Sequence, residues 1–383
     1  MLDFCKRYHF FDIVVILQFY DNLFLLKLVF KGGTMKKLIS IIFSVTFIMG
    51  IISGSANSAT IYVNGYGGTT WENITKAYLE PLKANTGLNV ELVPDPSLAK
   101  LEAMVAEGKC DYHVIELEGA NYMLAVEKGL LQEIDYSIVD PNNVVADNHK
   151  KPMGYEFVAF SEIIAYRNDQ FPNGGPKNMV EFWDVEKFPG ARTMHDRVVG
   201  SLEFALEADG VAPSDVYNVL SSPGGVDRAF AKLDEIKPHI VKFWSSGAEP
   251  IQMIADGEVT AAIAWNGRLQ AMKNEGVDVF YTFQDGNLDT GIYSIPATCS
   301  KEDAKNVALY LNAWTTPEMA VEWAKLMPYP PFTGGVAEKL DPDYAKLLPT
   351  TPENVAMQHQ TDWTFWHANF EELNERWKEW TLE

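Results

Sequence analysis

The 383-residue chain is 47% hydrophobic and 22% charged, a globular composition in a chain long enough for two lobes of ordinary domain size. Its formal net charge of −21 argues against nucleic acid and anionic membranes as partners, because phosphate contacts need basic surface, and is compatible with cationic ligands. The three cysteines, Cys5, Cys110 and Cys299, match no zinc spacing, and two unpaired thiols packed as small apolar groups are the expected state of Cys110 and Cys299 over a bridge between them.

From Met35 the chain reads MKKLISIIFSVTFIMGIISGSANSA. Lys36 and Lys37 form a basic start, Leu38 to Ile52 is an uncharged, mostly apolar run, and small residues lead to cleavage after Ala56 or Ala59. This is the build of a secretory signal peptide, too short for a comfortable membrane span. Residues 1–34 do not fit that build: they carry Asp12, Asp21, Lys27 and Lys31, and a membrane helix over 11–30 would place Asp21 in its middle at high cost. Lys31-Gly32-Gly33-Thr34-Met35 is what a purine-rich ribosome-binding site gives when translated, so residues 1–34 read as an upstream extension and 35–59 as the signal. Residues 1–59 hold six basic and three acidic side chains, which leaves 25 basic against 49 acidic in the exported part, a net charge of −24.

Beyond Ala59, strand-like and helix-like stretches alternate, which predicts α/β layering. ATIYVNGY (59–66) is a strand ending in glycine-rich turn chemistry, and Thr69-x-x-Glu72 reads as a capping box opening a helix over about 70–85. LNVELV (88–93) and YHVIELEG (112–119) are the next strands, with helices near 97–107 and 121–129. FVAFSEIIAYR (157–167) is extended and buried, and residues 168–190 are rich in turn residues. Helices then start at Ser201, Ser214 and Ser222-Pro223. VKFW (241–244), VTAAIAW (259–265) and VDVFYTF (277–283) are strands around a helix near 249–256, and GIYSIP (291–296) returns to the first part. Thr316-Pro317-Glu318 and Thr351-Pro352-Glu353 start two more helices. The last carries Trp363, Trp366, Phe370, Leu373, Trp377 and Trp380 at spacings of 3 and 4, one apolar stripe that docks on a lobe. Breaks near 165–175 and 285–291 divide the chain into lobe one (60–165 plus 290–345), lobe two (166–289) and a C-terminal helical segment (346–383), with two linkers acting as a hinge.

FWDVEKFPGART (182–193), LEFALEADGVAP (202–213), FWSSGAEPIQMIADGEV (243–259), AIAWNGR (262–268), MPYPP (327–331), LPTTPENV (348–355) and FEELNERWKEW (370–380), together with the signal, resemble the periplasmic solute-binding proteins of ABC importers, in the spermidine/putrescine-binding branch. The resemblance covers essentially all of residues 60–383. It implies a two-lobed α/β fold of the type II periplasmic-binding-protein class, with a double-crossover hinge and a cleft that buries a ligand. It further implies a monomer that docks its closed form on a membrane permease, with no cofactor, no metal and no catalysis.

In open α/β sheets ligands bind beyond the carboxyl ends of strands. A strand that ends in Trp265 delivers that ring to the crevice, where an aromatic face attracts an organic cation by about 0.5–2 kcal/mol per contact. Tyr66 and Trp71, around Gly67-Gly68, are candidates for aromatic walls, although a helix N-terminus there favours an anionic group. Glu116 and Glu118, two apart on one strand face, could hold an ammonium. Trp244, Ser245 and Ser246 end another strand, and Tyr293 and Tyr329 are weaker candidates. Polyamine binders often carry an acid three residues after the strand-end Trp and another five before the proline of the returning strand. Here those places hold Arg268 and Gly291, the nearest acid is Asp289, and Asp196 is a possible further acid beside Arg197. An Arg268 facing the cleft suits a carboxylate. A polyamine is therefore the first expectation for the small amine ligand, and a zwitterion such as an opine, betaine or amino acid derivative the alternative. A ferric-ion binder is disfavoured because there is no Tyr-Tyr pair and His113 and His195 are isolated. A secreted enzyme is disfavoured because there is no H-E-x-x-H, P-loop or G-x-S-x-G.

Overall fold

The computed structural model describes residues 13–20, 23–30 and 59–382. The first two stretches pair antiparallel as β1 (Ile13–Tyr20) and β2 (Leu23–Phe30), with Ile13 opposite Phe30. The secretion signal expected over 35–59 lies outside the described residues except for Ala59. Ser58–Glu383 is a separate compact unit, and no helix among the described residues is long and apolar enough to cross a membrane.

In that unit β3 (Thr60–Gly65), β4 (Asn89–Pro94) and β5 (Val114–Glu118) pair in parallel. The crossovers are α1 (Thr69–Ile74), which runs through a π turn (Thr75–Leu79) into α2 (Glu80–Thr86), and α3 (Leu98–Ala106). Gly68 holds the N-cap of α1 and no side chain caps it, so the expected Thr69 capping box is not the start signal. After α4 (Gly119–Glu127) and the short β6 (Leu131–Gln132) and β7 (Lys150–Lys151) comes the 14-residue β8 (Gly154–Arg167).

The second half holds α5 (Met179–Trp183), β9 (Arg192–His195), α6 (Ser201–Ala208), α7 (Gly225–Ile236), β10 (Ile240–Trp244), α8 (Glu249–Asp256), β11 (Ala261–Trp265) and α9 (Asn266–Asn274). Glycines, not the expected serines, stand at two of its helix starts: Gly200 before α6 and Gly224 before α7. β9 is only four residues long, directly follows the turn-rich stretch and carries a charge, so it gives no strand signal. Its Arg192 is fully buried because Thr260 Oγ1 (2.8 Å) and the Gly190 carbonyl (3.0 Å) accept from its guanidinium.

The 18-residue β12 (Val279–Pro296) returns through both halves, followed by α10 (Lys301–Thr315), α11 (Pro317–Leu326), β13 (His359–Gln360) and α12 (Trp363–Leu382). The sheet order is β10-β9-β11-β8-β12-β5-β3-β4. β8 and β12 pair antiparallel from Arg167↔Val279 to Tyr155↔Tyr293. β11 joins one end of this ribbon at Glu162–Ala165, and β5 joins the other at Gly291–Ser294. Two shared strands thus connect the halves, as a double crossover requires. The expected break at 285–291 is not a loop: it is strand, interrupted by a bulge between Thr282 and Asn287. Asp285, at φ 57°, turns out of the ladder there, and its carboxylate accepts the Met179 N–H at 2.9 Å.

One core gathers Ile61, Val63, Tyr78, Phe157, Tyr293 and Trp314, with Tyr78 stacked on Trp314 at 3.9 Å. A second gathers Leu202, Leu206, Phe230, Leu233 and Ile263 with Trp366, Leu373, Trp377 and Trp380. The C-terminal stripe therefore docks as its spacing predicts. Cys110 and Cys299 form a disulfide with Cα atoms 5.0 Å apart, which corrects the expectation of two free thiols. The pairing was illegible because 189 residues separate them, and it suits an oxidising compartment. His113, expected to be structural, accepts the Tyr62 N–H at 2.9 Å. Cys110, His113 and Asp303 lie close enough to hold an ion, but the Cys110 sulfur is already bonded to Cys299.

Candidate functional site

Where β3 meets α1, the chain places Tyr66, Gly67, Thr70 and Trp71 on one wall of a cleft, beside Glu116 and Glu118 from the end of β5. Trp265 and Arg268, from the end of β11 and the first turn of α9, form the facing wall. Phe157, Val158 and Phe160 of β8 make the floor, and Trp323 and Tyr329 close one side. The space between these walls, counted with the solvent open at its mouth, is about 520 Å³.

Trp265 is 6% exposed and meets Tyr66, Phe160 and Trp244 edge-on, with centroids 5.6, 6.2 and 5.1 Å away. Three residues later, one helical turn brings the Arg268 guanidinium back over that ring at 5.3 Å. Arg268 Nη2 donates across the cleft to the Gly67 carbonyl at 3.1 Å. Burial lowers the Arg268 pKa below its ordinary value, against the opposing pull of Tyr329 and Glu116. No carboxylate bonds Arg268, and its Nε, the Trp265 Nε1 and the Thr70 Oγ1 are buried without a protein partner. The approach is close: a Cβ on Gly68 would lie 2.6 Å from Arg268 Nη1, and the φ of 70° there also demands glycine.

Glu116 accepts the Tyr66 backbone N–H, and burial pushes its pKa up to about 8, with Glu118 raising it further and Arg268 opposing. The Tyr66 hydroxyl is driven well above its ordinary value by burial, then by Glu118 and Glu116. Glu118 pairs with Arg197 Nη1, and Arg197 Nη2 lies 3.1 Å from Glu162 Oε2. The other oxygen of Glu162 meets His195 Nδ1 at 2.7 Å, and His195 stacks on Trp244 at 3.8 Å. Burial works against ionising Glu162, yet Arg197 and His195 hold its pKa below the usual carboxylate range.

Six expected residues, Trp265, Tyr66, Trp71, Glu116, Glu118 and Arg268, come together on the cleft walls, as does the weaker candidate Tyr329. Five do not. Trp244 is fully buried and donates to the Ile263 carbonyl at 3.0 Å, so it supports Trp265 from behind. Ser245 is exposed, with its N–H bonded to Glu249 at 2.8 Å. Asp196 is exposed and accepts from Trp377 Nε1 at 3.0 Å, which ties it to the C-terminal helix. Tyr293 stacks on Phe157 at 3.7 Å inside the first core. Asp289 sits behind Glu118 and accepts from Trp363 Nε1 at 3.1 Å; burial, with Glu118 adding, pushes its pKa up to about 7. Thr70, Phe157, Val158, Phe160 and Trp323 on the cleft, and Glu162 and Arg197 beside it, are residues that sequence reasoning missed. A local signal existed for Arg197, as the neighbour of Asp196.

A model of the bacterial extracellular solute-binding proteins matches residues 77–353. The chain belongs to that family. This solute-binding protein is 31% identical over 331 residues to the gamma-aminobutyric acid-binding protein of Pseudomonas aeruginosa, covering 86% of this chain and 92% of that one. It superposes on the periplasmic binding protein AgtB of Agrobacterium tumefaciens R10 in complex with agropinic acid, at TM-score 0.77 and 27% identity, covering 85% of this chain and 99% of that one. MotA of A. tumefaciens B6 in complex with glucopine gives TM-score 0.78 at 28% identity, covering 84% and 99%. As a solute-binding protein of this family the chain is the substrate-binding component of an ABC transporter, and the family implies a periplasmic address.

Proposed function

We propose that this solute-binding protein captures a zwitterionic amine of the gamma-aminobutyrate or opine type, rather than putrescine or spermidine, and presents it to the permease. The observation that carries the reading is Arg268: a buried guanidinium on the cleft wall, bonded to no carboxylate, facing the partly buried Glu116 on the opposite wall. A dication gains nothing from that arginine, whereas a carboxylate does. The unpartnered Arg268 Nε, Trp265 Nε1 and Thr70 Oγ1 offer further donors. Glu116 and the Tyr66, Trp71 and Trp265 rings suit the ammonium. The names of the relatives, which bind gamma-aminobutyrate, agropinic acid and glucopine, support the same class.

The lobes turn about the shared strands β8 and β12 near 158–162 and 287–291, where their ladder passes from one half of the sheet to the other. The protein acts as a monomer and reaches the periplasm through the signal at 35–59. Isothermal titration with gamma-aminobutyrate, agropinic acid and glucopine against putrescine and spermidine tests the ligand class. One of the zwitterions should bind with a Kd on the order of micromolar, about −8 kcal/mol, and the polyamines should give no heat. Micromolar spermidine with silent zwitterions would overturn the reading.

A further inference from the structure

Arg197 sits in a cage of three carboxylates, one of which, Glu118, lines the cleft. Glu118 comes from the end of β5, Glu162 from the middle of β8 and Asp289 from β12, and all three act on the same guanidinium. Against the cost of burial, these acids raise the Arg197 pKa above its ordinary value. The arginine itself rises from the loop after β9, on the side of the sheet opposite to Glu118, so its side chain reaches across between the two halves. Of the other oxygens, Glu162 Oε1 meets His195 Nδ1, and Trp363 Nε1 and the Thr290 N–H both bond Asp289 Oδ1.

Glu118 belongs to both the cage and the cleft wall. It stands two residues from Glu116 on one strand face, a spacing of about 6.6 Å along the strand. Two carboxylates so placed match the ammonium groups of a short aliphatic diamine. In this chain only the Glu116 position is open to a ligand nitrogen, because Arg197 already neutralises the other.

We infer that Arg197 is a specificity-determining residue: a built-in cation that occupies the second ammonium position of the cleft and so excludes diamines. Removing its charge leaves Glu118, Glu162 and Asp289 facing a space the length of an arginine side chain. A ligand ammonium then replaces the guanidinium, and the cleft accepts 1,4-diaminobutane with one nitrogen at Glu116 and the other in the cage. The inference rests on the reading of the cleft as an amine site.

The test is calorimetry and thermal shift with 1,4-diaminobutane and with gamma-aminobutyrate on the wild type, Arg197→Ala and Arg197→Lys. Arg197→Ala should bind the diamine at least about tenfold more tightly than the wild type, and the diamine should raise its melting temperature. Arg197→Lys, which keeps the cation, should exclude the diamine as the wild type does. A folded Arg197→Ala protein with no gain for the diamine overturns the inference, and so does a gain shared by Arg197→Lys. If Arg197→Ala does not fold with three unpaired acids, Arg197→Ala/Glu162→Gln carries the same comparison with one charge fewer. Failure of the zwitterion reading shows separately, as a wild type that ignores gamma-aminobutyrate and the opines.

Discussion

Seating the ligand ammonium against Glu116, as proposed, predicts that binding is linked to a proton. Burial pushes its carboxyl to a pKa of about 8, with the neighbouring Glu118 adding and the Tyr66 N–H and Arg268 opposing. A group with that pKa is only about 1% ionised at pH 6 and half ionised at pH 8. An ammonium placed against it is stabilised by the carboxylate and not by the acid, so binding must expel the proton. A ligand amine with a pKa near 10 stays charged across this range. The dissociation constant should therefore tighten roughly 50-fold from pH 6 to pH 8. Titration at pH 6.5 in buffers of different ionisation enthalpy should show close to one proton released per ligand. The sign for the ligand-free protein is the opposite: a carboxyl whose folded pKa is raised costs stability as pH climbs from about 4.5 to about 8. Ligand should recover that loss. Glu116→Gln should flatten the pH profile and abolish the proton release. A wild-type affinity constant across pH 6–8, with a buffer-independent binding enthalpy, would refute the reasoning.

Arg268→Met should weaken a zwitterion by about 30-fold or more, the loss of a charge-assisted bond of roughly 2 kcal/mol, while an uncharged-tail analogue of the same amine should be affected far less; equal losses for both would remove Arg268 from the carboxylate end. Trp265→Ala should weaken binding and also lower stability by about 3–5 kcal/mol, because the ring is 6% exposed and packed on three others; a full-strength melting curve would contradict its core role. Trp265→Phe, which keeps a ring, should fold and isolate the contribution of the indole to affinity. Reduction, or Cys110→Ser with Cys299→Ser, should lower stability by about 2–5 kcal/mol without changing ligand class, and native protein that titrates with free Cys110 or Cys299 thiols would disprove the bridge.

Strand ends were the legible part of the site. Tyr66, Trp71 and Trp265 sit where an apolar run stops and glycine or a helix begins, and the two-residue period puts Glu116 and Glu118 on one face. Side-chain direction at less regular places was not legible. Asp196 and Arg197 are adjacent, yet one binds the C-terminal helix and the other enters the cage. Trp244 also ends a strand, but its indole N–H finds the Ile263 carbonyl behind the cleft. Gly286, Asn287, Asp289 and Thr290 read as a loop because polar residues usually mark one. They are strand because the buried bulge offers them partners: Thr361 Oγ1 donates to Asn287 Oδ1 at 2.7 Å and Trp363 Nε1 to Asp289. Long-range pairs, such as Arg197 with Glu118 or Cys110 with Cys299, leave no local trace at all.

A crystal structure with the tightest-binding zwitterion tests the central claim most directly. Its carboxylate should lie within hydrogen-bond distance of Arg268, and its ammonium against Glu116 and the Trp265 ring, between walls that both halves of the sheet supply. A ligand bound the other way round, or seated away from Arg268, would contradict the account.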